Sequence, residues 1–424
     1  MNKKIFSLAI ALIIPTSYAA NVEVKMPDSK IKIYGQIGAE AASVEYANGD
    51  SNVETGSGKL NLDPTKSEFK ADGDRNRQTL TADRYGSILN DGPNMIGFDF
   101  EYEKEVAGLK PYASYRTTFH TTNNSGFGPG LEAWVGLKNS NFHMKYGKLR
   151  GAYRHAKGLI DPWIYTSIQA RGTGGGLSSG RYNEVDWNWN AAGQREVKQN
   201  GANNTVRVEH GRAINTFGLI HNSDISGALE LGFKVGEFNT RVQIMGDDQS
   251  DRHGGNIEFK YTTSQLTVWL LGAYLDPGKN VIHFNERQDG IWGKSKYKNW
   301  KIGAQYKVMP TLKVAIQYED ADLGTFDNNP DGGEYLIGSV DFKVTNKVTI
   351  AGWVASYSSN IDQSLKMIDV DGVTSLDEDA LSVSLGVKYH FTKMAHGFAG
   401  YRDTDSDNDY RDENVFSAGM LYKF

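Results

Sequence analysis

The chain has 424 residues, 46 Lys and Arg against 51 Asp and Glu, no cysteine, and a mean hydropathy of −0.50. The missing cysteines exclude a disulfide scaffold, a thiolate metal site and a cysteine nucleophile, and a net charge of −5 without a basic stripe argues against nucleic acid as a partner. No run of about 18 apolar residues exists, so a helical membrane protein is excluded, while 22 Tyr, 18 Phe and 8 Trp exclude a disordered chain.

Along the chain, Lys3 and Lys4 precede an apolar run from Ile5 to Ile14, and Ser17 and Ala19 place small residues before a break. That order of charge, apolar core and small residues reads as a secretory signal peptide over 1–19, with the mature domain beginning at Ala20. From Lys30 onward the chain alternates with period two, the strand signature. Ile31, Ile33, Ile37 and Ala39 share one face, and Lys32, Tyr34, Gln36 and Glu40 share the other. Ile96, Phe98, Phe100 and Tyr102 oppose Asp99, Glu101 and Glu103 in the same way. The pattern returns at 298–308, with Trp300, Ile302, Ala304 and Tyr306 against Lys301, Gln305 and Lys307. In 381–392, Leu381, Val383, Leu385 and Val387 oppose Ser382, Ser384 and Lys388. No helical period of comparable length appears. The chain reads as all-β.

The connections alternate between two kinds. Very short turns fall at 106–108, 139–141, 236–238, 264–265, 309–311 and 346–347, and longer polar loops near 47–93, 120–129, 151–203, 247–254, 276–297, 322–332, 359–378 and 403–413. A transmembrane antiparallel β-barrel segregates its connections this way, with short periplasmic turns and long extracellular loops. Each strand has about ten residues with one apolar face for lipid and one polar face for water, and a closed barrel satisfies every backbone group in a dry bilayer. Counting runs gives eighteen strands. The pair near 203–222 is the weakest, and sixteen is the alternative. Aromatic residues recur where strands meet short turns, at Phe100, Tyr102, Tyr261, Tyr306, Phe342, Tyr389, Phe391, Tyr422 and Phe424, as an interfacial girdle requires.

The C-terminus is the most specific local signal. Phe416, Ala418, Met420, Tyr422 and the final Phe424 alternate outward and resemble the terminal strand of Gram-negative outer-membrane barrels. The segment Ile31–Ile37 resembles the first strand of general bacterial porins, and the blocks starting at Glu132 and Phe142 are similar to that family's fourth and fifth strands. The block Tyr389–Lys393 is similar to the one before the last hairpin, and Leu159–Trp163 ahead of a long loop resembles the neisserial subgroup. The resemblance implies a passive channel in the outer membrane for ions and small hydrophilic solutes, embedded in lipid and lipopolysaccharide and assembled as a homotrimer. It also implies that loop 151–203 folds into the lumen as a constriction.

A diffusion pore needs no reacting group, only a waist and charges that sort solutes. The loop supplies Arg154, Lys157, Asp161, Arg171, Arg181, Glu184 and Asp186, with Trp163, Trp187 and Trp189 for packing. Alternation turns Lys110, Arg116 and His120 inward, and by the same rule Glu132, Lys145, Arg207, Arg241 and Lys313. A Lys or Arg facing lipid at mid-bilayer would cost about 2–4 kcal/mol. Arg116 and Lys145 are expected to face the acids of the loop across the waist, where opposed charges create a transverse field.

No cofactor or metal is expected. The glycines at 172–176 are followed by no Lys-Ser/Thr, and the Asp-rich run at 403–409 lacks the glycine and glutamate of a calcium loop. The competing readings are a substrate-selective channel of eighteen strands, an outer-membrane barrel hydrolase, for which no nucleophile–base pair stands out, and an adhesin with a plugged lumen.

Overall fold

A computed structural model of the chain describes residues 22–46, 78–80, 94–119, 127–164, 166–170, 197–198, 205–206, 224–247, 252–276, 297–322, 332–359, 366–369, 372–375, 379–406 and 413–424. The segment read as a signal peptide lies outside these residues, as do Trp187, Trp189 and His120.

Sixteen antiparallel strands close into one barrel. The first half of the wall is β1 (Ser29–Tyr46), β2 (Met95–Tyr102), β3 (Lys110–Phe119), β4 (Phe127–Lys138), β5 (Phe142–Arg150), β6 (Asp224–Val235), β7 (Phe238–Asp247) and β8 (Arg252–Thr262). The second is β9 (Leu266–Asp276), β10 (Tyr297–Met309), β11 (Leu312–Asp322), β12 (Gly332–Lys343), β13 (Val348–Ser359), β14 (Asp379–His390), β15 (Ala395–Ser406) and β16 (Glu413–Lys423). Each strand pairs with the next, and β1 joins β2 along 29–36 and β16 along 36–46. Gly35 and Phe424 exchange backbone hydrogen bonds of 2.9 and 3.0 Å at the seam. The C-terminal phenylalanine thus ends where the ladder closes. An extra strand, Val22–Met26, folds back on Ile33–Ser29 along the edge of β1 that β16 leaves uncovered.

The expected eighteen strands are corrected to sixteen. The wall passes directly from β5 to β6, with Arg150 opposite Asp224 and Leu149 opposite Ile225. Within the segment counted as an additional hairpin, Thr205–Val206 pairs with Val197–Lys198 outside the barrel sheet.

Alternation has its expected physical meaning. Tyr115, Val135, Tyr146, Phe233, Ile257 and Ile302 are exposed on the outer face, as are Val354 and Leu385. The intervening positions carry buried polar groups, among them Gln36, Arg116, Glu230, Glu258, Lys301 and Glu319. Seven of the nine aromatics expected in the girdle, all but Tyr261 and Phe424, are 40–52 % exposed, consistent with a girdle of rings.

The short turns are held by side chains that imitate a backbone turn. Asn139 Oδ1 accepts from the N–H groups of Asn141 and Phe142. Thr263 Oγ1 does the same for Gln265 and Leu266, Thr345 Oγ1 for Lys347 and Val348, and Thr392 Oγ1 for Met394 and Ala395. Gly236, at φ +59°, supplies the left-handed residue of the two-residue β6–β7 turn. All these turns lie at one end of the barrel, and the strand ends joined by the long connections lie at the other.

Candidate functional site: the lumenal segment and its seat

After β5 the chain turns into the lumen. Residues Ala152–Ala156 form a 3-10 turn that packs on β7, β8 and β9, and the four-residue helix α1 (Lys157–Ile160) packs on β11 and β12. Four residues are too few to show a helical period, so no pattern in the chain marks a helix here. The following residues cross β14 and β15 and reach β1 and β16.

An exposed surface loop would be solvated, whereas this one is sealed against the wall. Tyr153, Ala156, Ile160, Trp163, Ser167 and Ile168 are each no more than 1 % exposed. Gln243 on β7 fixes the start: its Nε2 donates to Arg150 O at 2.8 Å and to Glu230 at 2.6 Å, and its Oε1 accepts from Ala152 N at 2.6 Å. Tyr153 donates its hydroxyl to Glu319 at 2.7 Å, and the ammonium of Lys301 sits 3.7 Å from the centre of its ring. Gln305 Nε2 donates to Leu159 O at 2.6 Å, and Lys388 Nζ donates to Pro162 O while lying 4.7 Å over the Trp163 ring.

The far end is held by Glu40 on β1. Its carboxylate accepts from Ser167 N at 3.0 Å, Ser167 Oγ at 2.7 Å and Ser417 Oγ at 2.7 Å. Arg402 donates to Gln169 O at 2.8 Å and Trp353 to Ile168 O at 3.3 Å. Two glycines make room. A Cβ on Gly386 would stand 2.6 Å from the Trp163 indole, and one on Gly400 would overlap Ile168 Cδ1.

Within the segment, Asp161 accepts from Trp163 N at 2.8 Å and Ala170 N at 3.0 Å, which pins the two ends of 161–170 together. Burial pushes its pKa up to about 6, against the opposing pull of those N–H groups and of Lys157 and Lys388. A carboxyl whose folded pKa exceeds its unfolded value of 3.8 contributes stability below that value and loses it as pH rises through about 6. The heat stability of the barrel is therefore expected to fall between pH 4 and pH 6.5, and Asp161→Asn to flatten that slope; an unchanged slope in thermal melts would refute the assignment. His155 is held neutral, its pKa pushed down to about 4 by burial first and the nearby Arg241 second.

The wall charges are paired along the strands. Arg116 on β3 lies 2.6 Å from Glu132, its register partner on β4, and is 4 % exposed. Glu132 also accepts from Trp134 Nε1 at 3.2 Å. Lys145 Nζ and His143 Nε2 meet Glu230 at 2.7 and 2.8 Å, and Arg241 Nε donates to Glu258 at 2.5 Å. Glu258 lies 3.5 Å from His155 Nδ1. Of the loop acids expected to face this wall, Asp161 is described, and Glu184 and Asp186 lie outside the described residues. Arg116 and Lys145 face inward, and among the described residues they meet Glu132 and Glu230 on neighbouring strands, while Asp161 accepts from the loop's own backbone. Alternation identifies a face and cannot identify the cross-strand neighbour, which depends on register.

Lys110 stands inward at the short-turn end, directly across from Lys138. Arg154 is buried in the 3-10 turn, 2 % exposed. Arg171, Arg181, Glu184, Asp186 and Arg207 lie outside the described residues. Sequence reasoning missed Glu40, Gln243, Ser417 and Arg402. Each occupies an inward position of an alternating run, so parity would have nominated them; their role as anchors follows only from where the loop lands.

Comparison with known proteins agrees with this architecture. A family model described as Gram-negative porin matches residues 7–424. Among solved structures, the anion-selective porin of Comamonas acidovorans aligns with a TM-score of 0.59 at 13% identity, over 93% of this chain and 100% of the other. OmpT of Vibrio cholerae aligns with a TM-score of 0.57 at 13% identity, over 95% and 100%. OmpF of Salmonella typhi, in complex with daunomycin, aligns with a TM-score of 0.56 at 14% identity, again over 95% and 100%. No curated protein sequence matches the chain. With a sixteen-stranded barrel, an outward apolar face and a family model covering nearly its whole length, this chain belongs to the Gram-negative porin family.

Proposed function

We propose that residues 151–170 form the waist of a passive outer-membrane channel that carries ions and small hydrophilic solutes, and that Arg116, Lys145 and Glu132 line the wall opposite. The carrying observation is the continuous line of anchors from Gln243 to Glu40 that holds a buried segment across the inner faces of β7–β16. A barrel of this strand number is wide enough for water, so a segment fastened to its inner wall narrows the passage without closing it. The same reading makes residues 1–19 the export signal and the outer apolar face a surface for lipid, lipopolysaccharide and two further copies in a homotrimer; OmpT of Vibrio cholerae has been solved in a trimer form. Kinship with the neisserial subgroup is supported by Leu159–Trp163, which sits in the waist itself. A channel, and not an enzyme, is the reading these anchors serve: the buried carboxylates they involve hold a loop.

Planar-bilayer recording of the purified protein is expected to give stepwise conductance, with steps in groups of three from a trimer. A silent barrel would overturn the channel reading, and single steps would overturn the trimer alone.

A further inference from the structure

The inner wall has two electrostatic levels. At mid-height, cations and carboxylates are matched, as Arg116 with Glu132 and Lys301 with Glu319 show. At the short-turn end the described cations outnumber the described carboxylates. Lys110 and Lys138 occupy inward positions on β3 and β4 within four residues of a turn, whereas Lys145, further in on β5, is matched by Glu230. On the rest of the ring, Lys234, Lys260, Lys307, Lys313, Lys388 and Lys423 hold equivalent places. The acids described on the inner wall at this level are Asp99, Glu101 and Asp341. Asp99 accepts from Ser114 Oγ, Glu101 pairs with Lys138 at 2.6 Å, and Asp341 lies 3.7 Å from Lys313.

Two observations separate this ring from ordinary solvated surface charge. First, like charges stand directly opposite each other, Lys110 across from Lys138 and Lys307 across from Lys313. Such pairs are destabilising in a sheet, and each has a single described carboxylate paired with it, Glu101 at Lys138 and Asp341 at Lys313. Second, the residues that alternate with these lysines are exposed apolar or aromatic groups, Phe233, Val235, Tyr306, Val308, Tyr389 and Tyr422. Lysines that served lipid headgroups would share that outer face; these point to the lumen. Beneath the waist, Lys388, His396 and Lys423 also border a recess floored by Trp163 and Phe398.

We infer that the periplasmic mouth of the lumen is a lysine ring that concentrates small hydrophilic anions, so that the channel prefers anions and binds compact multivalent ones, such as phosphates and di- or tricarboxylates, from that side. Rings of Lys or Arg select anions in other pores by the same physics, since a low-dielectric wall focuses the field across the opening. The overall charge of −5 does not oppose this. Selectivity follows the charges that line the passage, and those at the mouth are predominantly positive. The inference rests on the channel reading above.

The test is the reversal potential in a KCl gradient across a bilayer containing the full-length protein, at low and at high salt. The wild type is expected to be more permeable to chloride than to potassium, more so at low salt because screening weakens the ring. The Lys234→Glu, Lys260→Glu, Lys307→Glu variant is expected to lower that ratio several-fold. Inorganic tripolyphosphate is expected to block from one compartment only, and the variant to lose the block. If the variant fails to assemble, succinylating the lysines of the reconstituted wild-type barrel reads the same ratio. A conducting wild type that prefers potassium, or a ratio unmoved by charge reversal, overturns this inference alone. A wild type that does not conduct overturns the channel reading itself.

Discussion

Replacing Glu40 by alanine is expected to free the far end of the lumenal segment and to raise single-channel conductance. Glu40 is 7 % exposed and accepts three hydrogen bonds, two from Ser167 and one from Ser417. Its removal strands three buried donors, each at about 1–3 kcal/mol. Against that loss stand Arg402 to Gln169 and Trp353 to Ile168, both to backbone carbonyls of the same stretch. The near end remains fastened by Gln243 and Tyr153, which are more than ten residues away along the chain. The outcome is thus a segment hinged at its start and loose at its end, in a barrel whose ladder is intact. Conductance is expected to rise, to become noisier, and to be accompanied by a lower thermal midpoint. Glu40→Gln, which keeps one carbonyl acceptor, is expected to fall between. If Glu40→Ala conducts like the wild type in steady, equal steps, the segment does not set the waist.

The wall was readable because lipid imposes a strict rule on it. Alternate residues of Tyr297–Met309 face hydrocarbon or the barrel interior, so the outward Ile302 and the inward Lys301 could be assigned from alternation alone. That same rule inflated the strand count. Period two reports a ribbon with two unlike faces whether or not it joins the barrel, and Val197–Lys198 pairs with Thr205–Val206 outside the barrel sheet. Membership depends on register, here Arg150 against Asp224, and register is a non-local fact. The lumenal segment was legible at the level of topology: a long loop with three tryptophans after a fifth strand had to pack somewhere. Its seat was not. Gly386 and Gly400 read as ordinary small residues in alternating strands until Trp163 and Ile168 are seen to lie on them. Arg116 and Lys145 were found as inward cations, but their partners could not be, because no local pattern ties Lys145 to a glutamate 85 positions later.

The same seat predicts a change of opposite sign. Gly400→Ala places a methyl group well inside contact distance of Ile168 Cδ1, and 3.0 Å from Leu385 O. The wall cannot yield much, since Leu385 and Tyr401 are register partners in a continuous ladder. The terminal methyl of Ile168 can yield, and a shift away from the wall carries it toward the lumen axis. Conductance is therefore expected to fall, at a stability cost of about 1–3 kcal/mol for the overpacked site. The double variant Gly400→Ala, Ile168→Ala removes the clashing end of the side chain while keeping Ile168 O as the acceptor for Trp353. It is expected to recover wild-type conductance, whereas Ile168→Ala alone leaves a small cavity and a modest loss of stability. Residues in direct contact are those for which double-mutant cycles give large interaction energies, so the coupling between these two positions measures the contact itself. Independent effects of the two substitutions, with no rescue in bilayer recordings, would show that the segment does not rest on β15 in the working channel.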